Sequence, residues 1–345
     1  MTLDPPTKSR SRSKGRVTLS DVAKTANVSA ITVSRALNEP DKVSDKVRQR
    51  IEEAVAMLGY IPNRAAKALA TNSTQTIAVV IPSISNTVFS NVIKGIYDVC
   101  TPSNYEVLFA NTYYSIQNEE NLVGKLLTQH PDGIIITGLD ISERTEKLLR
   151  NANIPIVQIM EVGPREAIDM NVGISHYDAG KEMGEFLVAK GYKRIGCIGT
   201  QMDFRTQRRM SGFLSALAEA GLEANRYVLT TPEPSTVRLG GQLIGDMLSE
   251  HPDIEAVFCN NDDIAYGAIY ECQRRHLRIP EQIAITGFND LDASACINPS
   301  LTTIKAPLYE IGKTAAELLI KRLKNQPIEC NRIDLGVSLQ QRDSA

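Results

Sequence analysis

The chain has 345 residues, a formal net charge of −2 and 42% hydrophobic residues, so it is long enough for a small domain plus one or two well-buried α/β domains. It contains no apolar run of about 18 residues, which excludes a membrane-spanning helix, and no apolar stretch follows the N-terminal charges, so no signal peptide is expected. The six cysteines form no C-x-x-C pair and the four histidines show no metal-ligand spacing. We therefore expect a cytoplasmic protein without disulfides, metal or cofactor.

The charge is unevenly distributed along the chain. Residues 1–75 contain 13 Lys and Arg against 7 Asp and Glu, a net charge of +6, and the remainder carries −8. A basic end on an acidic body is typical of a protein that presents one face to nucleic acid. Residues 1–16 mix these cations with Ser, Pro and Thr and offer nothing for a core, so they are predicted to be disordered.

Residues 17–62 predict three short helices. Thr18 can cap the first, whose apolar residues recur at helical spacing. Ser29 can cap a second helix over 30–37, and Ser44 can cap a third. Two short helices joined by a tight turn form a helix-turn-helix, whose second helix can enter a DNA major groove.

The start and outer face of the second predicted helix supply candidate DNA contacts. Arg35 can contact a phosphate or a guanine edge, whereas Ala30 and Ile31 can make only apolar contacts, for instance with a thymine methyl. The alternative is a surface helix with a stray Arg. The candidate DNA-binding residues of this region are Thr18, Ser29, Ala30, Ile31, Thr32, Ser34 and Arg35.

Residues 63–70, NRAAKALA, form an Ala-rich segment with two cations. A stable isolated helix needs roughly 12–15 residues, so we expect this segment to be disordered without DNA and helical on DNA. The alternative is a flexible linker with one exposed Leu. Its candidate DNA-binding residues are Asn63, Arg64, Lys67 and Leu69.

From residue 77 onward, short apolar strands alternate with helices, which predicts parallel sheets in an α/β body. The alternation restarts near residue 179, which suggests two lobes with a cleft between them. The predicted strands are 77–81, 105–110, 133–137, 154–159, 194–199, 256–260, 284–287 and 332–337. The predicted helices are 88–99, 119–127, 143–152, 179–190, 209–220, 238–250, 264–275 and 309–324.

Three motifs occur in order: V-T-L-x-D-V-A at 17–23, V-S-x-x-T-V-S-R at 28–35, and L-G-Y-x-P-N-x-x-A-x-x-L at 58–69. They resemble the LacI/GalR family of bacterial transcription regulators, and the resemblance continues to the end of the chain. It implies an N-terminal all-α helix-turn-helix headpiece and a two-lobed, periplasmic-binding-protein-like α/β core with parallel sheets. It also implies paired hinge helices in a dimer, with Leu69 wedged into the minor groove.

The sequence pattern predicts the domain boundaries, and the resemblance implies where the chain crosses between the lobes. They are a disordered basic tail at 1–16, the DNA-binding headpiece at 17–62, a hinge helix and linker at 63–76, and an effector-binding core at 77–345. Crossings near residues 173, 306 and 327 assign 77–173 and 307–326 to lobe 1, and 174–306 and 327–345 to lobe 2.

Polar segments follow several predicted strands, where open α/β sheets bind ligands. The resemblance implies that Arg209 grips the effector, that Asn261 and Asp262 lie at the next strand end and that Phe89 lies against the ligand. Alternatively, Asp262 only caps a helix, Asn289 only shapes a turn, and Arg205 is a solvated surface charge. The candidate effector-binding residues are Ser83, Ser85, Asn86, Phe89, Arg205, Arg209, Asn261, Asp262 and Asn289.

The charge of these residues bears on the ligand. Many relatives carry Asp where this chain has Asn289, and loss of that acid beside Arg205 and Arg209 predicts an anionic ligand held by charge-assisted hydrogen bonds. The segments P-S-I-S-N-T-V-F, D-F-R-T and C-N-N-D-D-I-A-Y-G look most similar to gluconate- and idonate-operon repressors. Gluconate is therefore the favoured effector. Another sugar, a sugar phosphate or a nucleobase stays open, as does a corepressor role.

Together these features predict a homodimeric, nucleoid-associated repressor of gluconate-utilisation genes that binds double-stranded operator DNA and no membrane. A transport protein is disfavoured by the basic headpiece. An enzyme is disfavoured because we find no Walker loop, no G-x-S-x-G and no plausible pair of nucleophile and base. The last residues, LQQRDSA, contain no Leu heptads, which predicts a dimer rather than a tetramer.

Overall fold

The computed structural model describes residues 17–62, 68, 73–223 and 225–345, and the chain divides into two compact units between residues 72 and 73. The tail at 1–16 and the hinge residues 63–67 and 69–70, for which disorder and a DNA-dependent helix were predicted, lie outside the described residues. None of the described helices is both long and apolar enough to cross a membrane.

The first unit contains three helices: α1 (Leu19–Thr25), α2 (Ala30–Asn38) and α3 (Asp45–Leu58), with a 3-10 turn at Pro40–Lys42. Their inward faces share a small apolar core in which Val22, Val33 and Ile51 are at most 1% exposed. Helix α3 ends at Gly59, whose φ of 60° is left-handed and costs glycine little. The predicted helix-turn-helix is therefore present.

The second unit begins with a six-stranded parallel sheet of order β11-β5-β4-β3-β1-β2, which we call lobe 1 together with its helices. The strands are β1 (Thr76–Ile81), β2 (Glu106–Asn111), β3 (Gly133–Thr137), β4 (Ile156–Glu161), β5 (Met170–Ile174) and β11 (Arg332–Asp334). The helices are α4 (Val88–Cys100), α5 (Ile116–Leu127), α6 (Glu143–Asn151) and α11 (Leu308–Leu323).

Lobe 2 is built on a second six-stranded sheet of order β12-β10-β9-β8-β6-β7, parallel except for β12, which runs antiparallel to β10. The strands are β6 (Ile195–Gly199), β7 (Val228–Thr230), β8 (Ala256–Cys259), β9 (Ala284–Asn289), β10 (Thr302–Lys305) and β12 (Ser338–Gln340). The helices are α7 (His176–Ala189), α8 (Phe204–Glu219), α9 (Val237–Glu250) and α10 (Asp262–Arg274), with a 3-10 turn at Asp292–Ala295.

The chain passes between the two sheets three times. The first two crossings follow β5 and β10, close to the expected residues 173 and 306. The third differs from the expectation at 327, because β11 still belongs to lobe 1, where Ile333 pairs with Val172, and the crossing falls between β11 and β12. A three-residue edge strand carries almost no periodicity, so only its pairing partner reveals its lobe.

Helices α7 and α8 approach each other closely because two glycines lie at their crossing. A Cβ on Gly180 would lie 1.9 Å from the carbonyl oxygen of Arg209, and a Cβ on Gly212 would lie 1.9 Å from that of Tyr177. No side chain other than hydrogen fits at either position. This contact brings the first turn of α7 beside the part of α8 that faces the carboxyl ends of the strands.

Candidate functional site

The exposed face of α2 presents the predicted reading residues. Ile31 is 71% exposed, and Arg35, one helical turn later, is also exposed, so both lie on one face. Val33 and Ala36 point the other way, into the headpiece core. The structure also leaves Ala30 exposed and Thr32 and Ser34 half-buried. An apolar side chain near the start of the second helix, with a cation one turn later on the same face, suits contacts in a major groove.

Two of the predicted DNA-binding residues also start helices. In a capping box, Thr18 Oγ1 accepts from the Asp21 amide over 3.4 Å and Asp21 Oδ2 accepts from the Thr18 amide over 3.0 Å, and Ser29 Oγ accepts from the Thr32 amide over 3.1 Å. Both remain exposed. The other predicted contacts, Asn63, Arg64, Lys67 and Leu69, lie outside the described residues and stay predictions.

The turn between α1 and α2 is held by an arginine that the sequence reading did not single out. Arg50 on α3 donates through Nη2 to the carbonyl oxygen of Ala26 and, over 3.2 Å, to that of Asn27. Asn27 itself has a left-handed φ of 50°, which asparagine tolerates better than most residues. These bonds fix the angle at which α2 leaves the turn.

A cavity of about 130 Å³ lies between the lobes, where strands of both sheets end. Its wall includes every predicted effector residue except Asp262: Ser83, Ser85, Asn86, Phe89, Arg205, Arg209, Asn261 and Asn289. A larger groove of about 660 Å³ lies on the outside of lobe 2 between α9 and α10, but its Glu271 already pairs with Arg274 and Arg275. The interlobe cavity is therefore the better candidate for a ligand site.

The wall from lobe 1 is a hydrogen-bonded turn after β1. Ser83 Oγ accepts from the Asn86 amide over 3.1 Å, and Ser85 Oγ lies 3.1 Å from Ser83 Oγ. Asn86 Nδ2 donates to the hydroxyl of Tyr114 over 3.3 Å. Tyr114 has a left-handed φ of 56°, which an aromatic residue rarely adopts, and its phenol lines the cavity. This wall offers hydroxyl groups and one amide.

Facing it, Arg205 at the start of α8 is paired with Asp203. The Asp203 carboxylate caps α8 and accepts from Arg205 Nη2 over 2.5 Å. Burial disfavours both charges, but their mutual attraction outweighs it, so the pKa of Asp203 lies below its ordinary value and the pKa of Arg205 above. The guanidinium also lies 5.9 Å from the ring centre of Phe89 in lobe 1. Arg205 thus bridges the lobes with its charge largely neutralised.

Arg209, one turn further along α8, is only 7% exposed and forms no ion pair with the residues that the structure describes. Nη1 donates to His176 Nδ1 over 3.1 Å, Nη2 lies 3.5 Å from Thr206 Oγ1, and Nε is buried without a hydrogen-bond partner. The guanidinium lies 3.9 Å over the ring of Phe288. Burial lowers the pKa of Arg209 to about 10, so the group stays charged at neutral pH.

Amide side chains at the end of β8 form the floor of the cavity. Asn260 Nδ2 donates to the Thr200 carbonyl over 3.1 Å, and Asn260 Oδ1 accepts from the Thr200 amide over 3.3 Å. Asn261 Oδ1 caps α10, and its Nδ2 donates to Ser235 Oγ over 2.6 Å. These amide side chains thus connect the ends of β6 and β8 by hydrogen bonds, and they also line the cavity.

Asp262 is the predicted effector residue that the structure does not bring to the cavity. It is fully buried and accepts from Thr303 Oγ1 over 2.7 Å, the Leu291 amide over 2.7 Å and Ser294 Oγ over 3.0 Å. Burial raises its pKa to about 6. The expected ligand contact is replaced by an anchoring role, because the helix turns this side chain toward β10, and the next residue, Asp263, lines the cavity instead.

Asn289 reaches the cavity wall as predicted, at the last position of β9. It is 6% exposed and has a φ of 118°. Its neighbour Asp290 does not share the site, since it accepts a hydrogen bond from Arg342 Nη2 over 2.7 Å. A neutral amide therefore stands in the cavity wall at this position.

Sequence reasoning missed four lining residues, Tyr114, Met160, His176 and Ser235. Five others lie in the polar segments predicted to follow strands but were not named as contacts: Gln201, Asp203, Thr206, Asn260 and Asp263. A signal existed for Asp203, which stands two residues before Arg205 at a helix-capping spacing. His176 was missed because β5 was not predicted, so the residue did not stand after a strand. No local signal marks Tyr114. Among the described residues, no cluster of three or more His, Cys, Asp or Glu could hold a metal ion.

Comparison with known proteins identifies the family. Residues 18–63 match the model "Bacterial regulatory proteins, lacI family", and residues 185–345 match "Periplasmic binding protein-like domain". The HTH-type transcriptional regulator GntR of Pseudomonas aeruginosa is 38% identical over 333 residues, which cover 96% of this chain and 97% of that protein. This chain belongs to the lacI family. It is a DNA-binding transcriptional regulator, and the resemblance and fold class expected from the sequence are confirmed.

Other members agree with this assignment. The regulator IdnR of Escherichia coli is 37% identical, over 94% of this chain and 97% of that protein. A LacI-family regulator from Silicibacter pomeroyi has a TM-score of 0.90 and 36% identity, covering 95% of this chain and 99% of that one. The lac repressor dimer bound to operator and the anti-inducer ONPF has a TM-score of 0.83 and 27% identity, covering 96% and 99%. These relatives are regulators that act on DNA rather than enzymes.

Proposed function

We propose that this regulator represses genes of sugar-acid catabolism and that a sugar acid, gluconate first among the candidates, releases it from its operator. The observation that carries the proposal is Arg209. Its guanidinium is charged and buried, lines the interlobe cavity, and leaves Nε without a hydrogen-bond partner. A buried cation that forms no ion pair is costly, and a ligand carboxylate would supply the missing anionic partner.

The remaining wall of the cavity suits a polyhydroxylated chain. Ser83 and Ser85 offer hydroxyls, Asn289 offers an amide, and Asp263 offers a carboxylate that can accept from ligand hydroxyls. The cavity of about 130 Å³ is smaller than the ~300–1,000 Å³ of pockets for drug-sized ligands, which favours a molecule of monosaccharide size. Similarity to regulators named GntR and IdnR supports the same choice.

We propose that the chain has three functional segments in the order typical of the family. They are a DNA-binding headpiece at 17–62, a hinge at 63–76 and an effector-binding core at 77–345. The regulator acts as a homodimer on a near-palindromic operator, because each headpiece offers one reading helix and two-fold pairing doubles the site. Leu69 then serves as the minor-groove wedge. The operator-bound dimer of the lac repressor supports this stoichiometry.

Calorimetry with the full-length protein tests the effector assignment. Gluconate should bind, and the neutral alcohol glucitol should bind at least about 10-fold more weakly, because a charge-assisted bond is lost. Arg209→Ala should abolish most of that preference. The matched control is Arg208→Ala, the adjacent arginine, which lies over Tyr177 and does not line the cavity.

A thermal-shift screen of sugar acids, sugar phosphates, neutral sugars and nucleobases covers the alternatives, since a tight ligand stabilises the folded state by mass action. If a neutral sugar stabilised the protein and gluconate did not, the sugar-acid assignment would be wrong. The assignment to a DNA-binding regulator would be unaffected.

A further inference from the structure

A buried histidine connects Arg209 to lobe 1. His176 Nε2 lies 3.1 Å from the carbonyl oxygen of Met160, and His176 Nδ1 lies 3.1 Å from Arg209 Nη1. A carbonyl oxygen can only accept, so Nε2 carries the proton and donates it. Nδ1 is then left with a lone pair that accepts from the arginine. The two bonds select one neutral tautomer of the imidazole, which is 3% exposed.

This imidazole determines which edge of the Arg209 guanidinium is left without a close hydrogen-bond partner. Phe288 packs against its face at 3.9 Å, and the same ring lies 5.7 Å from the imidazole. Nη1 is used by His176, and Nη2 makes only a long 3.5 Å bond to Thr206. The remaining edge carries Nε, which is unpartnered, and a second proton of Nη2. That edge has the fork geometry that a carboxylate accepts with both oxygens.

We propose that His176 is a positioning residue that holds the Nε–Nη2 edge of Arg209 ready for the effector's carboxylate and ties that edge to lobe 1. The carboxylate part of this inference rests on the function proposed above. The bond to Met160 ends on β4 of the first sheet, whereas Arg209 belongs to α8 of lobe 2, and His176 stands directly after the first crossing. A change in the angle between the lobes therefore changes the position of the Arg209 guanidinium.

Two isosteric replacements separate this role from simple core packing. In His176→Asn, the amide oxygen stands near the position of Nδ1 and keeps an acceptor for Arg209. In His176→Gln, the amide nitrogen stands near Nε2 and keeps a donor for Met160 but leaves Arg209 without its acceptor. His276→Asn, at an exposed histidine outside the cavity, is the control. Thermal unfolding of each variant verifies that it folds.

The first measurement is gluconate affinity by calorimetry on the full-length protein without operator. We expect His176→Gln to lose about 10- to 100-fold in affinity, as for a disturbed charge-assisted bond, and His176→Asn to lose several-fold less. Glucitol binding should change little in either variant, because it does not use the arginine fork. Equal losses in both variants, or equal losses for gluconate and glucitol, would show a purely structural role and overturn the proposal.

The second measurement needs no effector. Nitrogen-15 labelling of the four histidines, with the His176 signals assigned by their absence in His176→Asn, reports the tautomer directly. The expected signature is a proton on Nε2 and none on Nδ1, unchanged from about pH 8 to about pH 6. In Arg209→Ala, Nδ1 loses its donor and the imidazole should protonate at higher pH than in the wild type.

The calorimetry and the nitrogen-15 spectra test different parts of the proposal, so one can contradict it without the other. If gluconate does not bind the wild type, the sugar-acid function fails, and the nitrogen spectra still decide whether His176 seats Arg209. If gluconate binds but Nδ1 carries the proton, or the imidazole is charged at neutral pH, the positioning role is wrong and the sugar-acid function stands.

Discussion

Arg35 is the cation that α2 exposes beside Ile31. If it contacts a guanine edge, Arg35→Ala should weaken specific operator binding by about 1–3 kcal/mol and relax the preference for one base pair. If it contacts a phosphate, affinity should fall similarly for all sequences. Fluorescence anisotropy with operator and scrambled duplexes distinguishes the two.

The matched control for this experiment is Arg48→Ala on α3, whose guanidinium pairs with Asp45 over 2.6 Å and which is not among the predicted DNA contacts. It should leave operator affinity within a few-fold of the wild type. Unchanged operator affinity in Arg35→Ala would remove this residue from the DNA interface.

Glu161 is a buried carboxyl group at the end of β4 whose Oε2 has no hydrogen-bond partner. Burial raises its pKa from 4.5 to about 7, against the attraction of Arg205 and Arg208, while Asp140 and Asp203 raise it further. Because the folded-state pKa is above the unfolded one, the unfolded state loses its proton first. The contribution of Glu161 to the free energy of unfolding is therefore largest below about pH 4.5 and decreases as the pH rises toward 7.

Glu161→Gln removes that titration. At pH 8, urea unfolding should give the variant a free energy of unfolding higher than that of the wild type by on the order of 1–3 kcal/mol. At pH 4.5 the two free energies should differ much less. The exposed Glu166→Gln serves as the control and should show no such trend. A stability difference that is the same at both pH values would contradict the buried-carboxyl account.

At the scale of elements, the contact of α7 with α8 determines where the effector residues stand. Gly180→Ala would place a methyl group 1.9 Å from the Arg209 carbonyl oxygen, so the helices must separate. We expect a loss of about 1–3 kcal/mol in unfolding free energy, typical of overpacking, and a lower gluconate affinity because the bond between His176 and Arg209 lengthens. Urea unfolding and calorimetry measure the two effects.

Gly124→Ala is the control for that change, because this glycine lies within α5 and a Cβ there would meet nothing within 4 Å. It should be neutral or stabilising by up to about 1 kcal/mol, since alanine favours helix. If Gly180→Ala were as benign as Gly124→Ala, the close helix contact would not control the site.

At the scale of the whole molecule, the cavity lies between two lobes that each supply part of its wall. A ligand can shift a conformational equilibrium only through different affinities for the two states, and contacts with both Phe89 and Arg209 would supply that difference. The expected coupling to operator is about 1–3 kcal/mol, and linkage makes it reciprocal. Saturating operator DNA should therefore weaken gluconate binding roughly 5- to 150-fold.

Calorimetric titration of gluconate with and without operator duplex measures this coupling, and a scrambled duplex controls for non-specific charge effects. Equal affinities would mean that the sugar acid is no inducer. Tighter binding in the presence of operator would make it a corepressor.

The sequence by itself determined the headpiece, the α/β alternation and the family, because these depend on local signals. Thr18 and Ser29 mark helix starts, Gly59 marks an end, and uninterrupted apolar runs mark buried strands. Strands with weak patterns, such as β5, β7, β10 and β12, were missed. Helix α8 begins five residues before its predicted start at 209, so Arg205 and its partner Asp203 belong to one helix terminus.

Only the tertiary structure decided which polar residues share the cavity. His176 and Arg209 are 33 residues apart, and no periodicity brings them together; the glycine contact between α7 and α8 does. Asp262 and Asp263 have the same local pattern, yet one is buried against β10 and the other lines the cavity, because a helix turns adjacent side chains by about 100°. Local preferences form the elements, whereas long-range packing selects the residues that meet.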